Sequence, residues 1–245
     1  MNKILVLIFL SFAITSCYKD KAGCFDSTGE PTVLCQNISE KIDSVSVFGR
    51  ISVNFIQDSL NYLEIKGGAN VVEGIKHKVE GTKLTITDEN KCHWVRKLNQ
   101  IPIVTIHYTQ LNYFNAGNYF DNKFLLPHNG KKIWLEYWNG SGCTKFIGNV
   151  DSSCFAVHAG YGSFECYGTS KYNYIYHHGN AKINCENYKT EDTYVYTFSN
   201  NDILINSSNS ILGVIEYNGN IIYSGQTSII KQFGKGKGKI IHSGK

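Results

Sequence analysis

Phe164-Glu165-Cys166-Tyr167-Gly168 returns as Ile183-Asn184-Cys185-Glu186-Asn187: an apolar residue, a spacer, a second inward-type residue, a spacer, then a turn-former. The phrase reads Thr144-x-Phe146-x-Gly148 before this pair. After it come Ile203-x-Ile205-x-Ser207, Ile221-x-Tyr223-x-Gly225 and Ile240-x-His242-x-Gly244. Its last positions lie 20, 19, 20, 18 and 19 residues apart. Two-residue alternation within such a period predicts a β-solenoid. One unit cannot bury its apolar face alone, so a core forms only when coils stack.

Gly/Asn-rich corners punctuate this half, at Asn139-Gly140-Ser141-Gly142, Ala159-Gly160-Tyr161-Gly162, His178-Gly179-Asn180, Asn218-Gly219-Asn220 and Gly234-Lys235-Gly236. Such residues tolerate the backbone angles that sharp corners demand. Upstream, Val45, Val47, Ile51, Val53 and Phe55 share one parity around a Gly49-Arg50 break. Strands are also predicted at Tyr62–Ile65, Lys83–Thr87 and Ile101–Tyr108, with Pro102 at an edge. Asn70 to Lys78 fits neither period, and reads as a short helix or an irregular segment. Cys24 to Ser39 is polar and turn-rich, a lead-in. No Pro/Ser-rich linker separates the halves. The predicted fold is all-β: a right-handed β-helix-like solenoid with about 20-residue repeats, preceded by irregular β-strand coils and forming one domain over 39–245.

The chain's 245 residues, 42% of them hydrophobic, suffice for a sizeable core. A charged fraction of 18% is low for a cytosolic enzyme. The net charge of +4 comes with no basic run able to follow a nucleic-acid backbone, so nucleic acid is not an expected partner. Three prolines and one methionine, beside 23 glycines and 16 tyrosines, fit a β-rich extracytoplasmic protein.

The N-terminus carries an address. Lys3 precedes the apolar run Ile4–Ile14, too short at 11 residues to span a bilayer. Ile14-Thr15-Ser16-Cys17 resembles a bacterial lipobox, whose cysteine is acylated and becomes the mature N-terminus. Residues 1–16 are thus a lipoprotein signal peptide, 17–38 a lipidated tether and lead-in, and Cys17 the link to the membrane. No aspartate directly follows Cys17, which favours the outer membrane. Tyr18-Lys19-Asp20-Lys21 reads equally as a surface-export tag or as a plain tether, leaving the cell surface and the periplasmic face both open.

Phe48 to Ile56 resembles the opening phrase of the head GIN domain found in auto-transporter adhesins. Asn70–Val72, Val79–Ile86 and Asn90–Arg96 look like its next phrases, and Asn218–Gly225 like its closing one. The resemblance spans nearly all of the mature chain. It implies a β-helical fold, an envelope lipoprotein of the kind typical of Bacteroidetes, and adhesin-like binding of an extracellular glycan or protein. A structural or accessory periplasmic role with a protein partner is the alternative, and a carbohydrate-active β-helix enzyme, which would require a carboxylate cluster once the coils are built, is the third reading. The chain departs from the family's Ser-Gly-Ser-Gly corners with bulkier residues such as Tyr161, His177 and Phe198.

Removing Cys17 from eight cysteines leaves an odd number. Cys166 and Cys185 hold equivalent places one coil apart, where a thiol ladder and a disulfide both fit, and cysteine's packing favours the ladder. Cys24, Cys35 and Cys92 are the better disulfide candidates. Cys24 with Cys92 would clamp the lead-in onto the first sheet, whereas Cys24 with Cys35 would close only a local loop. His158, His177 and His178 carry no metal-ligand spacing and read as corner residues facing solvent, so no metal or other cofactor is expected. Tyr172, Tyr174 and Tyr176 share one parity, and Tyr194 and Tyr196 repeat it one coil later. Facing outward, these rings make an aromatic ligand-binding strip; facing inward, a core ladder. Trp134, Tyr137 and Trp138 pose the same question on the preceding coil. Carboxylates are sparse, and no catalytic spacing or nucleophile motif is present, so the chain reads as a binding protein and not an enzyme.

Overall fold

In a computed structural model, the described residues, 27–91, 93 and 100–244, form one 17-stranded sheet wound into a β-solenoid. β2 (Ser44–Gly49) and β3 (Ser52–Gln57) are two sides of the first coil. Their inward residues Val45, Val47, Val53 and Phe55 are fully buried, as is Ile51 between the strands. β8 (Tyr113–Asn118) and β9 (Asn122–Phe124) stack beneath them in parallel. On the other side β6 (Lys83–Asp88) adds to β2, and β7 (Ile103–Tyr108) adds to β3.

The stack then closes with antiparallel strands. β4 (Tyr62–Gly68) pairs with β7, and β5 (Ile75–Glu80) pairs with β6. The ambiguous segment divides into a single helical turn, α1 (Ala69–Val72), and β5. The lead-in differs from its sequence reading, because residues 31–37 form β1 (Pro31–Asn37), antiparallel to β4. β1 covers an edge on which backbone N–H and C=O groups would otherwise stand open. Its side chains are mostly exposed, so it carries no apolar pattern by which sequence could mark it.

Below β8 and β9 the regular coils begin. β10 (His128–Tyr137), β11 (Cys143–Val157), β12 (Ser163–His178), β13 (Ile183–Phe198) and β14 (Ile203–Ile215) are long strands that bend around corners. Each lies parallel on the next: Phe146 sits over Cys166, and Phe155 over Ile175, itself over Val195. β15 (Ile221–Ser224), β16 (Ile229–Phe233) and β17 (Ile240–His242) complete the stack. The predicted phrase therefore marks the coils, its apolar positions pointing into the lumen.

The core changes character along the axis. Phe55, Phe124 and Phe146 pack at centroid distances of 4.6 and 5.0 Å, and Phe155 and Phe164 continue the spine. Further down Ile183, Ile203 and Ile221 replace the rings. Cys166 and Cys185 are buried free thiols in this ladder, and burial first, with the neighbouring thiol second, holds the Cys166 pKa well above its ordinary value. The Lys235–Lys239 run is explained by its glycines. A Cβ on Gly234, Gly236 or Gly238 would lie 2.0–2.1 Å from the carbonyl oxygens of Ile215, Tyr217 and Gly219, so alternate positions of this corner must lack one.

Candidate ligand-binding face

The broad face built from β8, β10, the second halves of β11 to β13, β14 and β16 carries the rings. Along each strand the buried positions are Ile133, Leu135 and Tyr137, then Ser153, Phe155 and Val157, then Asn173, Ile175 and His177, then Thr193, Val195 and Thr197. Strand alternation sends the remaining positions outward. Tyr172, Tyr174, Tyr176, Tyr194 and Tyr196 therefore lie on the outer face, Tyr172 being 60% exposed. Trp134 and Trp138, 44% and 49% exposed, join them, while Tyr137 turns into the core.

Parallel stacking converts sequence repeats into columns. Tyr174 lies on Tyr194 with centroids 5.2 Å apart at 21°, and Tyr176 meets Tyr196 edge-on at 6.0 Å. Phe198 packs on Tyr196 at 4.8 Å and faces His178 at 5.8 Å. Offset stacks and edge contacts suit the ring quadrupoles and fix the rings in place. Burial among its neighbours pushes the Tyr174 hydroxyl's pKa up to about 12.

At one end of this face a buried carboxylate organises the indoles. Glu136 accepts hydrogen bonds from Trp138 Nε1 at 2.7 Å, Trp134 Nε1 at 2.9 Å and the Tyr113 hydroxyl. Its Oε2 also lies 3.3 Å from His158 Nε2, and the His158 ring is stacked on Trp138 at 3.9 Å and 10°. Burial first, and the bond to Glu136 second, raise the Tyr113 pKa, so the phenol keeps its proton and donates. A carboxylate this enclosed requires such donors. Holding both indole nitrogens, it fixes the orientation of both rings.

Where the coils step from Trp134 to Cys154 to Tyr174, a small residue falls between two large ones. The result is an open cavity of about 410 Å³ over Cys154, lined also by Asp43, Asn112, Tyr113, Lys132 and Ser152. Sequence reasoning did not find it, since Asp43 and Asn112 come from distant loops. The Trp134-x-Glu136-x-Trp138 alternation was its one visible signal.

Of the corner histidines, His177 differs from its sequence reading. His177 is fully buried on the Ile175 parity, donating from Nε2 to the Ala181 carbonyl at 3.0 Å, and burial lowers its pKa to about 4. It is a core residue and does not face solvent. His178 is exposed and donates from Nδ1 to the His158 carbonyl at 2.8 Å. Among the described residues no group of three or more His, Cys, Asp or Glu side chains is placed to hold a metal ion. Cys35 lies exposed on β1, whereas Cys17, Cys24 and Cys92, the lipidation and disulfide expectations, lie outside the described residues. Among the described residues no helix is long and apolar enough to cross a membrane.

Coil and face together define an adhesin-like β-solenoid. The family model described as "Putative auto-transporter adhesin, head GIN domain" matches residues 41–227, and the chain belongs to that family. Solved structures agree on the fold. A "putative adhesin" from Bacteroides fragilis NCTC 9343 aligns with a TM-score of 0.79 at 17% identity, over 89% of this chain and 99% of that one. A "putative adhesin" from Parabacteroides distasonis ATCC 8503 gives 0.63 at 17%, over 88% and 100%. A "putative lipid binding protein" from that same strain gives 0.62 at 16%, over 89% and 98%. No curated protein matches the sequence.

Proposed function

We propose that this protein is a lipid-anchored envelope adhesin, held to the outer membrane through Cys17, that binds an extracellular glycan along its outward aromatic face and catalyses no reaction. The observation that carries this is the outward parity of Tyr172, Tyr174, Tyr176, Tyr194 and Tyr196, continuous with Trp134 and Trp138. A scaffold role would leave no reason to keep so many rings at the surface in one patch. Sugar C–H bonds, weakly positive, lie well on the negative faces of such rings. Flanking hydroxyl, amide and carboxylate groups on Ser152, Asn209, Ser210 and Asp192 offer partners for sugar hydroxyls. An elongated face of repeated rings suits a repeating polymer.

Two measurements test this proposal. Protease shaving of intact cells should remove the native protein, while a Cys17→Ala variant is released from the membrane. Protection until the outer membrane is broken would refute surface display. On a polysaccharide array the mature chain should retain a glycan that a Tyr172→Ala/Tyr194→Ala variant does not. Retention of proteins only, with no glycan bound, would refute the ligand class.

A further inference from the structure

We infer that the cavity over Cys154 is a pocket for a single neutral pyranose ring, the point at which the bound glycan is specified. This rests on the glycan-binding proposal and adds to it a site with its own chemistry. Three observations lead to it. The cavity's volume of about 410 Å³ lies at the small end of ligand sites, suited to one sugar and its linkage. Its walls, Trp134 and Tyr174, stand two strand spacings apart, about 10 Å, because Cys154 on the strand between them is too short to fill the gap. Both walls are fixed before any ligand arrives: Trp134 by Glu136 at 2.9 Å, Tyr174 by its stack on Tyr194. Preorganised walls lose little entropy on binding.

The polar lining gives the chemistry. Among the described residues the side chains of Asp43, Asn112 and Lys132 make no hydrogen bond or ion pair, yet all three border the cavity. Asp43 and Asn112, whose segments are joined by the Asn112 N–H to the Asp43 carbonyl at 2.8 Å, bring a carboxylate acceptor and an amide to the same cavity, partners for hydroxyls. Asp43 and Lys132 carry opposite charges, so the cavity as a whole favours neither anion nor cation. A neutral hexopyranoside satisfies every feature: apolar faces for its C–H bonds, acceptors and donors for its hydroxyls, and no charge to neutralise.

The test uses the full mature chain in detergent micelles. Methyl α-mannopyranoside, methyl β-glucopyranoside, methyl β-galactopyranoside and N-acetylglucosamine are titrated singly, followed by calorimetry and tryptophan fluorescence. At least one should saturate with a millimolar Kd. Cys154→Leu, which fills the gap from below, and Trp134→Leu should each weaken that binding at least tenfold, and Asp43→Asn at least threefold. Leu60→Ser, at an exposed turn, serves as the control, with each variant's circular dichroism spectrum matched to the parent's. No saturation by any of the four sugars, or equal binding by Cys154→Leu, would overturn the pocket. Retention of a polysaccharide by Cys154→Leu, uncompeted by the pyranosides, would overturn the pocket and leave the aromatic face standing. Pyranoside binding without any polysaccharide retention would support the pocket and remove the extended face.

Discussion

Replacing Glu136 with glutamine tests whether one carboxylate holds the indoles in place. Glutamine has the same shape but only one acceptor oxygen. Set toward Tyr113 and Trp138, that oxygen keeps two donors, and the new NH2 then points at Trp134 Nε1, a donor facing a donor. A hydrogen bond to a charged group contributes about 1.5–3 kcal/mol. One such bond is lost and two others drop from charged to neutral strength, so the expected loss is about 3 kcal/mol. For a chain of this size that lowers the unfolding midpoint by about 6–12 °C. A double-mutant cycle isolates the contact. Trp134→Phe should cost stability in the parent and much less beside Glu136→Gln, with a coupling of about 1.5–3 kcal/mol. Urea unfolding followed by circular dichroism supplies the four free energies. A coupling inside about 0.5 kcal/mol, the additivity of unconnected sites, would show that Glu136 does not hold Trp134.

Acid should weaken the fold through His128 and His177, whose pKa values burial lowers to about 4 from an ordinary 6.5. The unfolded chain takes up their protons first. Each therefore contributes about 3 kcal/mol that is fully present above pH 6.5, falls as the pH drops, and is gone below about 4. The unfolding midpoint measured from pH 7 to 4 should fall less steeply in His177→Gln than in the parent, and an equal slope would refute the assignment. Gly236→Ala should cost about 1–3 kcal/mol, because its methyl meets the Tyr217 carbonyl; amide exchange should show the loss confined to the last coil. Gly81→Asn should change the unfolding free energy by no more than about 0.5 kcal/mol, since nothing lies within 4 Å and asparagine accepts its φ of +62°. Tyr172→Ala should leave thermal stability within that margin, the ring being 60% exposed, while weakening glycan retention severalfold.

The coils were legible because each must bury the same kind of residue at the same place. Ile183, Ile203 and Ile221 sit one above another, so sequence period and spatial stacking are one fact seen twice. β1 was not legible, because an edge-covering strand holds by backbone hydrogen bonds and leaves an unpatterned set of side chains exposed. The parity of the tyrosines escaped for a related reason. Asn173, Thr193 and Thr197 are polar by composition yet point inward, where Asn173 Oδ1 accepts from Ser153 Oγ at 3.0 Å and Thr190 and Thr193 bond at 2.6 Å. Such polar groups are accepted in the lumen where a neighbour supplies a partner, from the next coil for Asn173 and Ser153 and from the same strand for Thr190 and Thr193, so hydrophobicity loses its power to tell inside from outside. The rings outside are then the less soluble set, kept at the surface by Glu136 and by one another. Aromatics held outside cost solubility, while the lumen of the same strands is already filled by Leu135, Phe155, Ile175 and Val195. Their exposure is the strongest physical reason to look for a ligand on this face.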